Sequence, residues 1–264
     1  MLRILCILVI VFSAAQAEAA AFDHGKWDIL LKKHVIVSDG GMATQVDYDG
    51  FLKDRERLKE YLKSLAEIDT DEFDSYPLDF QLAFLINGYN GWTIEFILTR
   101  YPDLKSIKDL GSFFQSPWKK QFAPLLGKTR SLDEIEHTLI RGSGRYNDPR
   151  IHFAVNCASI GCPALRAEAY TGERLQEQLA EVSEMFLSDQ QRNRLRGDTL
   201  EVSSIFKWYR EDFEQGWLGI NSLGEFFAGY DQAFGLSEKM VERVKANDIE
   251  INFLKYDWSL NKKK

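Results

Sequence analysis

The sequence predicts an α+β fold in a single domain, and three observations carry that expectation. Amphipathic helical runs outnumber strand candidates, the strand candidates do not alternate regularly with the helices, and no repeat or low-complexity tract divides the chain. Regular alternation would instead indicate a doubly wound parallel sheet. The expected architecture is therefore a set of helices packed on a small, mainly antiparallel sheet.

The first twenty residues form an export signal by pattern. Arg3 is a short positive region, residues 4–12 are an unbroken apolar run, and residues 13–20 are small, with A-x-A matches at Ala15/Ala17 and Ala17/Ala19. The run is well short of the roughly 20 residues that span a bilayer, so cleavage rather than anchoring is expected. Residues 21–264 then form the mature domain, in a periplasm or outside the cell. Loss of Arg3 and Glu18 leaves the net charge at −7. No basic stripe marks a nucleic-acid partner, no later segment is apolar enough to span a membrane, and no protein partner can be named.

In chain order, Phe22, Trp27, Leu30 and Leu31 suggest a first helix, broken by the cluster at 38–41. Residues 48–51 read as extended. Residues 53–68 form a charged amphipathic helix with Leu58, Tyr61, Leu62 and Leu65 on one face. After the acidic link "DTDEFDSYP" comes "LDFQLAFLINGYNGWTIEFILT", residues 78–99, apolar nearly all round and therefore a buried helix. Its middle carries Asn87, Gly88, Tyr89, Asn90 and Gly91, although a glycine there costs about 1 kcal/mol relative to alanine. Either the glycines permit close packing and the amides satisfy backbone groups, or a polar group faces a site.

Beyond it, residues 106–114 suggest a short helix, and 118–126 with 127–132 a hairpin. Ser131 and Glu134 make a capping box for a helix over 132–141. "RIHFAVN" alternates and reads as a strand over 150–156. Helices follow at 172–187, 204–213, 223–228 and 237–247, with a hairpin around Gly197-Asp198 and an extended end at 249–261.

The chemistry concentrates in "HFAVNCASIGCPAL", residues 152–165, which holds two of the three cysteines. Cys6, the third, leaves with the signal. Pro163 suits the first position of a helix. That would make Cys162 its N-cap and expose the thiol to the positive helix end, which lowers a thiol pKa. Cys157 falls just past the strand end. Strand parity puts His152, Ala154 and Asn156 on one face and Cys157 on the other, so a His152–Cys157 dyad needs a bend. His137 is a second candidate base.

A zinc set of His137, His152, Cys157 and Cys162 is a weak match to known ligand spacings, and no metal or other cofactor is expected. In an oxidising compartment the two cysteines can instead close a structural disulfide worth roughly 2 kcal/mol. His24 and His34 read as surface or packing residues. The carboxylate pairs Asp71/Glu72 and Glu211/Asp212 lie in charged stretches that read as solvated.

"FLINGYNGWTIEFIL", "SLDEIEHTLIR", "DPRIHFAVNCASIGCPAL", "SSIFKWYREDF" and "YDWSLN", in that order, resemble the domain-of-unknown-function family 547 over about residues 78–261. The family is found in bacterial exported proteins and in plant proteins with a leucine-zipper segment. A glycine-interrupted buried helix followed by a histidine-bearing strand also resembles the papain-like and transglutaminase-like thiol enzymes. Their helix-start cysteine has no counterpart here, so a nucleophile must come from Cys157 or Cys162.

Two functional expectations follow. The first is a cleft whose catalytic residues are Cys157, His152, His137 and Asn90, with Asn87, Tyr89, Glu136, Arg141, Arg150, Asn156 and Cys162 contacting a small thiol of glutathione type or a peptide-like ligand. Its chemistry would be thiolate attack or thiol-disulfide exchange. The second is a non-catalytic binding or assembly module held by a Cys157–Cys162 disulfide.

Overall fold

In the computed structural model the structure describes residues 21–38, 40–112 and 114–264. The proposed signal, residues 1–20, lies outside the described residues. Among them, no helix is long and apolar enough to cross a membrane.

The fold is built around one long helix. Helices α1 (Gly25–His34), α2 (Tyr48–Lys53), α3 (Arg55–Glu67) and α4 (Thr70–Ser75) lead into α5 (Leu78–Leu98). Seventeen of its 21 residues are buried, from Gln81 to Leu98 with only Glu95 half-exposed, as an apolar surface on every side requires. The chain over 48–51 is the start of α2 and not extended. The side chain of Asp47 accepts the Gly50 N–H at 2.9 Å and caps the turn that an extended reading overlooked.

The interrupted middle of α5 resolves into two kinds of packing. A Cβ on Gly91 would stand 3.1 Å from Leu62 Cδ2, so glycine allows α3 to approach. Asn87 and Asn90 both spend their amides on backbone: Asn87 bonds the carbonyl and the N–H of Tyr170, and Asn90 bonds Ala154 O and the Asn156 N–H. The buried amides thus satisfy distant chain segments, and α5 becomes the post to which the cysteine segment is tied.

The strands are short and form three separate sheets rather than one. β1 (Val35–Val37) pairs antiparallel with β2 (Thr44–Val46), and β3 (Ala123–Leu125) with β4 (Lys128–Arg130). β5 (Arg194–Arg196) runs antiparallel to β6 (Thr199–Val202), which pairs parallel with β7 (Glu250–Phe253). The expected helix at 106–114 shrinks to a 3-10 turn, Ile107–Leu110. Helix α6 (Leu132–Glu134) starts on the expected Ser131–Glu134 capping box and widens into a π-helix, Ile135–Ile140.

The largest departure is at residues 150–156, where the alternating run is not a strand. Ile151–Ala154 forms a helical turn, α7, and among the described residues no strand pairs with it. Its backbone bonds stay local, with Phe153 N–H on Arg150 O at 2.9 Å and Val155 N–H on Ile151 O at 3.1 Å, and Asn90 takes the end. A short apolar run has the same composition in a buried helix as in a buried strand, so only the absence of a ladder partner decides it. No helix begins at Pro163 either, so Cys162 does not sit at a helix N-terminus.

The remaining helices are α8 (Leu175–Leu187), α9 (Ile205–Trp208), α10 (Arg210–Glu214), α11 (Leu223–Ala228), α12 (Asp231–Phe234) and α13 (Glu238–Lys245). One contiguous core extends from Trp27 to Leu260. Phe153 of α7 joins it through Phe186, Phe206 and Phe213, with ring centroids 5.2 to 5.9 Å apart.

His24 is a packing histidine, buried with Nδ1 2.8 Å from the Tyr61 hydroxyl. Burial lowers its pKa from 6.5 to about 4, against a smaller opposing effect of Asp23. Between these values the unfolded chain takes up a proton that the native state refuses. Stability should therefore fall as the pH drops from about 6.5 to about 4, by up to about 3 kcal/mol from this residue. Urea melts of the wild type and His24→Gln across that window check it; the variant should have a flatter profile.

Candidate functional site

The residue range 155–162 is a turn made by side chains rather than by regular structure. Asn156 donates from Nδ2 to Pro163 O at 2.7 Å and accepts the Ala158 N–H on Oδ1 at 2.9 Å. This cross-strut holds Ala158 in the left-handed region, φ 59°, buried beside Cys157. A non-glycine residue there costs on the order of 1 kcal/mol and persists only where its surroundings enforce it. The turn brings the Cys157 N–H to 2.9 Å from Cys162 Sγ and the two sulfurs to 2.9 Å from each other, both as free thiols.

The two thiols differ in what surrounds them. Cys157 is half-buried, and its Sγ lies 3.0 Å from the Tyr256 hydroxyl and 3.2 Å from Ser159 Oγ. Burial opposes its ionisation, but hydrogen bonding from Cys162, Ser159 and Tyr256 outweighs burial and holds its pKa below the ordinary thiol value. Cys162 is buried, and burial together with the neighbouring Cys157 sulfur pushes its pKa well up. The helix-dipole expectation for Cys162 thus fails in sign as well as in geometry: the activated thiol is Cys157, and its donors are side chains.

Both sulfurs open onto a cavity of about 220 Å³, which Tyr89, Glu136, His137 and His152 also line. The π-helical turn presents Glu136 and His137; such turns recur at functional sites because the extra residue re-aims side chains. α7 presents His152. With a helical turn in place of a strand, the parity argument that set His152 and Cys157 on opposite faces no longer applies, and both reach the cleft.

Asp212 of α10 is the residue the sequence reading placed wrongly. It is not part of a solvated acidic pair. Its Oδ2 accepts from His152 Nε2 at 2.6 Å and from Arg141 Nε at 2.5 Å, and its Oδ1 accepts from Arg141 Nη2 at 3.0 Å. Arg141 also donates from Nη1 to His137 Nδ1 at 2.6 Å. Tyr209 stacks on His152 with ring centroids 3.9 Å apart and lies 4.9 Å from the Arg141 guanidinium. Among the described residues His152 Nδ1 is buried with no hydrogen-bond partner, so the ring is oriented through Nε2 and its other nitrogen is unengaged.

Of the other expected site residues, Asn87, Asn90 and Asn156 hold backbone and do not line the cleft. Arg150 is taken up by Asp148 and Gln176, with its guanidinium 5.0 Å from the Trp217 ring. Arg141 acts behind the histidines. The alternative of a zinc set at His137, His152, Cys157 and Cys162 has no support: among the described residues, no three His, Cys, Asp or Glu side chains are gathered as a metal requires. Tyr209, Tyr256, Trp118, Trp208 and Trp258 line the cleft and were not anticipated. For Tyr209 a signal existed: Tyr209, Asp212 and Phe213 stand at i, i+3 and i+4, one helical face mixing an acid with aromatics.

The fold and the cleft define an α+β protein in which a two-cysteine turn faces a histidine–aspartate pair. Residues 73–187 match the family described as "Protein of unknown function, DUF547". No curated protein and no solved structure matches the chain. The family segment supplies α5, the π-helical turn, α7 and both cysteines, whereas Asp212, Tyr209, Tyr256, Trp208 and Trp258 come from the chain beyond it.

Proposed function

We propose that this is an exported cysteine enzyme that acts on a small thiol or peptide-like ligand in the cleft, with Cys157 as nucleophile. The observation that carries the reading is the sulfur pair: a half-exposed thiol of lowered pKa with a buried thiol of raised pKa 2.9 Å behind it. That asymmetry suits thiol-disulfide exchange, in which one thiolate attacks and the other resolves.

The Cys157 thiolate attacks one sulfur of a ligand disulfide R–S–S–R′. A Cys157–S–R bond forms, the ligand S–S bond breaks, and R′–S⁻ leaves. Cys157 is then neutral, which removes the neighbouring charge that had opposed ionisation of Cys162. The departing R′–S⁻ takes the Cys162 proton, and the Cys162 thiolate attacks Cys157 Sγ. R–S⁻ is released and takes a proton from water, leaving a Cys157–Cys162 disulfide. The ligand disulfide is reduced by two electrons and the cysteine pair is oxidised by two.

A second chemistry of the same nucleophile, acyl transfer at a peptide-like ligand, is favoured by one observation, the His152–Asp212 pair with Nδ1 of the histidine unengaged. An acid-oriented base that shares a cavity with a thiol supplies the groups such transfer needs. Cys162→Ser separates the two. Under exchange, the pre-reduced wild type should convert one equivalent of cystamine to two of cysteamine and end as the Cys157–Cys162 disulfide, whereas the variant should stop at the mixed disulfide, seen by mass spectrometry as a stable adduct of half of cystamine on Cys157. An unimpaired exchange rate in Cys162→Ser would overturn the exchange mechanism, and release of an acyl product by that variant would establish transfer.

A further inference from the structure

We propose that the cleft selects ligands that carry a primary ammonium group, held by Glu136 against the tryptophan rim; this rests on the reading that the cleft binds the ligand on which Cys157 acts.

Glu136 is 6 % exposed and lines the cavity. Among the described residues no lysine, arginine or histidine nitrogen lies within 4 Å of its carboxylate, and its partner is the Tyr209 hydroxyl. A carboxylate withdrawn from water without a cation is costly, and the cost is relieved by a positive group entering beside it. The cavity lining offers none. Its carboxylates are Asp133 and Glu136, and no lysine or arginine is among its residues. The Arg141 charge acts on Glu136 from outside hydrogen-bond range, but its hydrogen bonds go to Asp212 and His137.

The rim is an independent observation pointing the same way. Trp208 and Trp258 stack with centroids 5.6 Å apart, Trp118 meets Trp258 edge-on at 5.5 Å, and Trp208 is 46 % exposed although it belongs to this cluster. Indole faces attract cations, and the Lys108 ammonium already sits 3.8 Å from the Trp258 ring. Trp118 and Trp208 line the same cavity as Glu136, so an ammonium group entering beside Glu136 shares that space with indole faces. It also neutralises the charge that opposes the Cys157 thiolate, so the ligand that fits assists in activating the nucleophile.

The test uses Cys157→Ser, which binds without reacting, and three probes of equal length: 1,6-diaminohexane, adipate and 1,6-hexanediol, titrated by calorimetry and tryptophan fluorescence. The diamine should bind saturably, about tenfold or more tighter than the diol, and the diacid should bind more weakly still. Adding Glu136→Gln should cost the diamine about tenfold or more and leave the diol unchanged. Equal affinity for diamine and diol overturns the proposal, as does a folded Glu136→Gln protein that binds the diamine as before. If Glu136→Gln does not fold, the comparison of the three probes decides alone. Cystamine reduction by the pre-reduced protein with Cys157 intact, with dithiothreitol added as the two-electron reductant for repeated turnover, is measured separately. Diamine selectivity without turnover sinks the thiol chemistry and leaves the ammonium site standing, and turnover without charge preference does the reverse.

Discussion

Iodoacetamide is expected to alkylate Cys157 at pH 7 and to leave Cys162 unmodified, once the protein has been reduced and the reductant removed. The thiolate is the reacting species, so the rate follows its fraction and its access. Cys157 is half-exposed and its pKa is held down by three hydrogen-bonding neighbours, whereas Cys162 is 5 % exposed and its pKa is pushed up. Peptide mapping should find one adduct, with a rate profile whose midpoint lies below the ordinary thiol pKa. Cys157→Ser should lower total labelling on the order of a hundredfold. Tyr256→Phe removes one donor to the sulfur at 3.0 Å and should move the midpoint upward with little change in fold. Preferential labelling of Cys162, or a midpoint at or above the ordinary value, would refute the assignment. A pair that resists labelling until reduced, with a Cys157→Ser protein otherwise unchanged, would favour the structural disulfide.

The parts of the fold that were legible in the sequence are those dictated locally. The apolar run of α5 could only be a buried helix, and the Ser131–Glu134 box caps its helix through the Glu134 N–H on Ser131 Oγ at 3.1 Å and the Ser131 N–H on Glu134 Oε2 at 2.7 Å. Residues 150–156 read as a strand because their helical state is fixed from 64 and 66 positions away, by Asn90 closing on Ala154 and Asn156. Periodicity over four residues holds no record of such a partner. Pro163 failed for a related reason: it allows a helix to begin, but the side chain of Asn156 takes its carbonyl and fixes a turn instead.

The site divides along the same line. Cys157, His137, His152, Glu136 and Tyr89 line the cleft; the first four stand near one another in sequence, and Tyr89 lies in the glycine-interrupted middle of α5. Asp212 was passed over because a charged neighbour, Glu211, made it look solvated. The difference is the face of α10: Asp212 points at the Arg141 guanidinium and the His152 ring, and its value to the site exists only once α6, α7 and α10 have met.

Asp212→Ala is accordingly expected to be among the most damaging single changes in the cleft. It leaves the Arg141 guanidinium and the His152 ring without the acceptor that binds both, and removal of one member of a buried ionic cluster costs on the order of 3 kcal/mol. Asp212→Asn keeps the shape and one acceptor and should cost less. The pH dependence identifies the cause. Burial opposes the charged form of Asp212, but hydrogen bonds from His152 and Arg141 and their charges outweigh it, and its pKa is held well below the ordinary 3.8. A carboxylate lowered in this way stabilises the native state fully above the unfolded value, and that contribution is lost as the pH falls below it toward the native value. The stability gap between wild type and Asp212→Asn, read from urea melts, should therefore be widest near pH 7 and narrow below pH 4. A gap that stays constant to pH 3 would show that shape, not charge, carries the contribution. Activity separates the two chemistries once more. If the cleft performs acyl transfer through a His152 base, Asp212→Asn should lower turnover on the order of a hundredfold or more. Exchange through the Cys157–Cys162 pair should be little changed by that substitution, because Asp212 makes no hydrogen bond to either sulfur.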